Sequence, residues 1–278
     1  MKNSIYPCLW FDGQAKAGAE FYCSLFKNSK VITDSPMVVN FEIEGQKFMG
    51  LNGGPMFRFN PSISLFVTCE TDDEISTLWN KLLEGGSAMM PLDKYEWSEK
   101  YGFLQDRFGV AWQIMKGKFS EVNQKITASL LFVGDQYGRA EHAVKFYTEV
   151  FPQSSIQGIL LYQKDEPQYG KVKHAQFLLN EKVFMAMDGA GDHKFQFNEA
   201  FSFVVECDTQ KEIDYYWTTL TEEGQESRCG WLKDKFGVSW QIIPAIIGQL
   251  MSDSQKASRV MQAVMTMNKI DIETLKNA

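Results

Sequence analysis

Histidine is scarce in this 278-residue chain, which has three, His142, His174 and His193, and none before them. Without imidazole the first half cannot build a histidine-based metal site, and no Ser-His-Asp or Cys-His set stands at a readable spacing. Cysteine is sparse and odd in number. Cys8, Cys23, Cys69, Cys207 and Cys229 include no CxxC pair, a pattern of reduced thiols in a cytosol rather than of a disulfide framework or a zinc site. No basic run offsets the net charge of −7, which argues against a nucleic-acid surface. No apolar stretch reaches membrane-spanning length, and "MKNSIYPCLWFDG" is no signal peptide. The expected location is the cytoplasm, with neither nucleic acid nor membrane as partner. What is present is ordinary globular material, 44% apolar and 23% charged, in a chain long enough for two cores.

The chain repeats itself. "YGFLQDRFGVAWQI" from Tyr101 and "CGWLKDKFGVSWQI" from Cys229 agree at nine of fourteen positions. "FYCSLF" at Phe21 returns as "FYTEVF" at Phe146, and "FRFNPSISLFVTCE" at Phe57 returns as "FQFNEAFSFVVECD" at Phe195. Order is kept throughout, so this is a tandem duplication of domain length. The copies differ mainly where "SAMMPLDKYEWSEK" (Ser87–Lys100) shrinks to "QESR", which predicts a longer hairpin in the first copy, with Trp97 and Tyr95 at its edge.

Local signals repeat as well. "IYPCLWF" is a β-prone run, followed by a helix with Ala15, Ala19, Tyr22 and Phe26 on one face. Strands flank the turn Glu44-Gly45-Gln46. Thr71 to Glu74 and Thr209 to Glu212 read as capping boxes; the helices they open carry Ile75, Leu78, Trp79 and Leu82 inward, and Ile213, Trp217 and Leu220. Strands then flank the turns Asp106–Gly109 and Asp234–Gly237. Each copy reads as two βαβββ modules. Domains are expected at residues 1–118 and 119–245, with Lys116–Lys125 as a polar linker. A helical tail over 246–278 would dock through Val260, Val264 and Met267.

Paired βαβββ modules with an Asp-x-Phe-Gly turn before the last strand resemble the vicinal oxygen chelate superfamily of glyoxalases and bleomycin-resistance proteins. "PCLWFDGQA…FY", "FMGLNGGP…FNPSIS" and "CGWLKDKFGVSWQI" are similar to its PhnB-like, 3-demethylubiquinone-9 3-methyltransferase-like branch, over residues 5 to 275. The resemblance implies an α+β fold, a tandem of glyoxalase-type domains in which each curved sheet forms a cup for a divalent metal. It places the ligand positions near Ile5 or Pro7, at Ser64 and at Gln113, and in the second copy near Ile126 to Ser129, at Ser202 and at Gln241. Only the glutamines there could coordinate, and a neutral amide beside serine is a poor cation site; no metal and no cofactor are expected. The methyl transfer in the branch's name finds no donor site either. "NGGP" at Asn52 and "DGAG" at Asp188 lie between strands and open no helix.

At the family's register, Tyr101, Phe103, Gln105, Ala111 and Gln113 share the concave face of the first copy, and Cys229, Trp231, Lys233 and Gln241 that of the second. Trp112 and its repeat pack under the helices. His174, opening the strand "HAQFLL", is the one histidine that could face a cup; His142 and His193 are solvated. The expected function is metal-independent binding of a small molecule, with a cavity in each cup and Gln113, Ser64, Tyr101, Phe103, Trp97, Gln241, Ser202, Cys229, Trp231 and His174 as ligand-binding residues. An enzyme of the same fold (a methyltransferase, lyase or isomerase) and a non-catalytic oligomeric scaffold are the alternatives. The two domains are expected to pair within one chain, and the protein could form a homodimer.

Overall fold

A computed structural model describes residues 4–253 and 255–278. Four βαβββ modules follow one another. The first is β1 (Ile5–Phe11), α1 (Ala15–Leu25), β2 (Ser29–Asp34), β3 (Val38–Ile43) and β4 (Gln46–Asn52). The second is β5 (Ile63–Cys69), α2 (Asp72–Leu83), β6 (Ser87–Tyr95), β7 (Ser98–Gln105) and β8 (Ala111–Lys116). A one-turn helix α3 (Phe119–Val122) leads to β9 (Ile126–Phe132), α4 (Ala140–Val150), β10 (Ser155–Leu161), β11 (Val172–Leu179) and β12 (Lys182–Asp188). The fourth is β13 (Phe201–Cys207), α5 (Gln210–Thr221), β14 (Gln225–Glu226), β15 (Trp231–Lys233) and β16 (Ser239–Pro244). The tail forms α6 (Ile247–Ser252), α7 (Ala257–Thr266) and α8 (Ile272–Lys276).

Two compact units emerge. One is Cys8–Phe201; the other is Ser202–Ala278 with the amino-terminal segment ending at Pro7. Within the larger unit, eight strands lie in the order β10-β11-β12-β9-β5-β8-β7-β6. Its seam is the antiparallel pair β5·β9, where Ser64 faces Ser129 and Phe66 faces Thr127. The second half of the first copy therefore shares a sheet with the first half of the second copy. β5 (ISLFVTC) is buried at every position, as a central strand covered on both faces must be.

Helix starts follow the local code. Thr209 and Glu212 form a complete capping box on α5. On α2, Thr71 accepts from Glu74 N, but the Glu74 carboxylate reaches Glu70 N and pairs with Lys125. The β3–β4 hairpin turns at Glu44 and Gly45, at φ 49 and 74, the left-handed region that suits glycine. The expected longer hairpin is present, since β6 and β7 have nine and eight residues against two and three in β14 and β15.

The segment read as a polar linker is packed. Val122 is buried with Phe66, Tyr101, Val183 and Met185. Gln124 bonds both backbone groups of Val183, and Lys125 donates to Thr68 O. Side-chain amides of this kind replace ladder bonds that a loose linker would leave to water. In the smaller unit, Val260, Val264, Ile270 and Leu275 of the tail form an apolar cluster that takes in Cys229. Gln210 bonds Ile270 O and Ile272 N, and the backbone N–H of Cys229 donates to Met267 O.

Candidate functional site

The repeated fourteen-residue stretch is first of all a structural device. Asp106 is 4% exposed and accepts from Phe108 N at 2.8 Å, Val110 N at 3.1 Å, Trp112 Nε1 at 2.8 Å and Tyr22 OH at 2.8 Å. One carboxylate thereby closes the turn, aims the indole of Trp112 under α1 and binds that helix. Burial pushes its pKa up, against the pull of these four donors. Asp234 does the same for Phe236 N, Val238 N and Trp240 Nε1. Both tryptophans are fully buried, as their alternation with glutamine predicts.

Gln113 points to the other face of β8. Its Nε2 donates to Ser64 Oγ at 2.8 Å, and its Oε1 accepts from Tyr101 OH at 2.8 Å. Burial raises the pKa of the Tyr101 hydroxyl, which keeps it a donor at neutral pH. Phe103 lies opposite Gln113 in the β7–β8 register. Trp97, 59% exposed, stacks on Tyr95 at 5.0 Å and meets the edge of Tyr101 at 5.9 Å. Of the expected residues, Gln113, Ser64, Tyr101, Phe103 and Trp97 thus form one contiguous group. Lys94, Tyr95, Glu96 and Trp97 line a shallow open depression at its margin.

Gln241 heads the corresponding group in the smaller unit. Its Nε2 donates to Ser202 Oγ at 3.0 Å, and Trp231 stands opposite it in the β15–β16 register. Cys229 occupies the position of Tyr101, held at φ 60 with its Sγ 3.6 Å from Met265 Sδ in α7.

Two expectations change. Ser129, read as a position of the second copy's own site, lies beside Ser64 of the first. The segment containing Ile5 and Pro7 belongs to the smaller unit, where Tyr6 OH donates to Glu206 and Glu206 N to Ser4 O. The first follows from the β5·β9 seam, which joins strands of different copies, and the second from the place of β1 next to β13 in the strand order. His174 shares the face of Gln113 through the register His174–Leu160 on β10 and Ala175–Ala186 on β12, yet β11 lies four strands from β8. Burial holds its pKa below the usual histidine range, so the ring is neutral at pH 7.

Sequence reasoning missed Thr68, and it assigned Thr127 and Ser129, within Ile126 to Ser129, to the second copy's own site. All three are buried on the face of Gln113, at 2, 1 and 1% exposure, and their hydroxyls have no hydrogen-bond partner among the described residues. The alternation of polar and apolar residues in "ITASLLF" carried a signal for two of them. The donor set around Gln113 is one neutral amide, already bonded at both ends, and hydroxyls. Among the described residues no three His, Cys, Asp or Glu side chains cluster to hold a metal. These residues do not fit a divalent cation of the kind the resemblance implies, because no anionic oxygen or imidazole is offered. Gly53 and Gly54 follow β4 and precede β5, and Gly189 and Gly191 stand between β12 and β13; neither pair opens a helix as a nucleotide-binding turn does.

No curated protein matches the sequence. A solved PhnB protein from Bacillus cereus is 36% identical over 40% of this chain and 98% of its own, with a TM-score of 0.39. Glyoxalase I from Zea mays aligns over 91% of this chain and 97% of its own at 12% identity and a TM-score of 0.57, a likeness of fold. The profile of the family described as 3-demethylubiquinone-9 3-methyltransferase matches twice, at residues 3–115 and 124–243, and the chain belongs to that family.

Proposed function

We propose that this protein binds a small molecule without a metal, with the Gln113 group as its main recognition centre and the Gln241 group as a second. One observation carries the reading. A buried amide, fixed by a tyrosine hydroxyl and a serine, shares its face with three hydroxyls that have no hydrogen-bond partner among the described residues. Buried polar groups in native proteins are nearly always satisfied, so unmade bonds on one face suit a polar ligand. Around them Phe66, Tyr101, Phe103 and Met185 supply the apolar lining of a small-molecule site. The five free cysteines and the want of any long apolar helix among the described residues are compatible with a cytoplasmic location.

Catalysis on the same face is the second reading, favoured by the family match: methyl transfer as its description says, or a lyase or isomerase reaction. A scaffold without ligand is the third. Native mass spectrometry with elemental analysis of freshly purified protein, beside a thermal-shift series with divalent cations and S-adenosylmethionine, separates them. The proposal expects a co-purifying or titratable organic ligand, sub-stoichiometric metal and no cation-dependent shift. Stoichiometric metal lost on Gln113→Leu, or a shift with S-adenosylmethionine, would put the enzyme first.

A further inference from the structure

The face that carries Gln113 is free of charge over its whole centre. The register sets Ser64, Phe66 and Thr68 of β5 beside Ala111, Gln113 and Met115 of β8 and Thr127 and Ser129 of β9. The same face continues into Val183, Met185 and Met187 of β12 and into His174, Gln176 and Leu178 of β11, and into Tyr101, Phe103 and Gln105 of β7. No Asp, Glu, Lys or Arg stands among them, and His174 is neutral. Charge returns at the margin with both signs: Asp93, Glu96 and Lys94 on the β6–β7 hairpin and Glu121 on α3 are exposed, and Lys125, whose ammonium bonds Thr68 O, is paired with Glu74. A carboxylate or phosphate buried here would meet no unpaired cation, since Lys125 is held by Glu74, and would lose its hydration uncompensated. A neutral group that both donates and accepts would bond the free hydroxyls at no such cost.

Access is the other half of the matter. Val122 of α3 sits in the apolar cluster with Phe66, Tyr101, Val183 and Met185. This four-residue helix is held at its start by Glu70 accepting from Phe119 N, at 3.0 Å, and at its end by Asn123 in the left-handed region, at φ 57. Besides that bond, Gln176 Nε2 donates to Glu121 O at 3.5 Å, while the anchors Gln124 and Lys125 lie past its end; only Val122 of its residues is buried, so lifting it opens the polar floor without breaking a strand.

Resting on the small-molecule reading above, we propose that this face selects an uncharged ligand with a hydrogen-bonding head and an apolar or aromatic body, which takes the place of Val122. The anion of the same shape is rejected.

The test uses matched pairs on the full chain: benzamide with benzoate, and 1-naphthamide with 1-naphthoate, followed by ligand-observed NMR and calorimetry. The amide of a pair should bind about tenfold or more tightly than its carboxylate, should lose that binding in Gln113→Leu, and should gain several-fold in Val122→Gly. Circular dichroism melting confirms that both variants fold, and the wild-type comparison of amide with carboxylate stands without them. Carboxylates bound as well as amides, and lost with Gln113→Leu, would overturn the charge selection and leave the small-molecule reading standing. An unchanged affinity in Val122→Gly would overturn the role of α3. No binding by either pair, in the wild type or in Val122→Gly, would overturn this inference and the reading beneath it together.

Discussion

Gln113 and Gln241 hold the same place in two copies of one motif, and each donates to a serine on the neighbouring parallel strand. They differ at the other end of the amide. Gln113 is capped by Tyr101, whereas position 229 is a cysteine turned toward a methionine of the tail. The surroundings follow suit. A long hairpin with Tyr95 and Trp97 flanks the first group, and the helical tail flanks the second. A duplicated motif keeps what its own fold needs, the aspartate, glycine and tryptophan. It is free to change the residue that completes the hydrogen-bonded group.

The shared part should be the costliest to break. Asp106→Ala strips four donors of a buried acceptor, and a loss of about 3–5 kcal/mol in chemical denaturation is expected; Asp234→Ala should act in the same direction. If Tyr22→Phe reduces the cost of losing Asp106, the bond from α1 is part of that figure, and a double-mutant cycle measures it.

The shared glycine comes next, for different reasons in the two copies. A Cβ on Gly102 would fall 2.3 Å from the Trp79 ring, while Gly230 sits at φ 82 with Ile242 O 2.6 Å from any Cβ. Each Gly→Ala change should cost about 2–3 kcal/mol. Trp79→Leu should rescue Gly102→Ala, and the matching Trp217→Leu should leave Gly230→Ala unrescued, because there the obstacle is backbone. Equal rescue would mean the two sites are alike after all.

The glutamines themselves test the comparison most directly. Gln113→Leu leaves both Tyr101 and Ser64 without their partner, at about 2 kcal/mol, against about 1 kcal/mol for Gln241→Leu, which orphans Ser202. In a Tyr101→Phe background the two losses should converge. Persisting inequality would place the difference elsewhere.

The smallest effect is a pH dependence. The folded state holds the pKa of His174 below its unfolded value. As pH falls through about 6.5 the unfolded chain takes a proton that the folded chain refuses, and stability drops until the folded pKa is passed. His174→Gln should remove that drop, by under about 1 kcal/mol. A slope unchanged by the substitution would assign it to another group.

Much of this was legible in the residues. The duplication, the four modules, the α2 and α5 caps, the docking of Val260 and Val264 and the inward tryptophans all follow from patterns within one element or one turn. The Gln113–Ser64 and Gln241–Ser202 pairs were reachable because parallel neighbours within a module keep the family's register. The placement of Thr127, Ser129 and Val122 on the face of Gln113 was not, since it comes from a strand and a linker that join the two copies. Nor was the placement of His174 four strands from Gln113.

Sequence alone thus determined what is decided over short distances along the chain: alternation in strands, caps on helices, the aspartate that closes its turn. Which module shares a sheet with which was left to the tertiary structure. All four modules carry the same pattern, so local preference cannot choose among partners; only the packing of β5 against β9, and the burial of Ser64 beside Ser129 that follows, separates one pairing from the others.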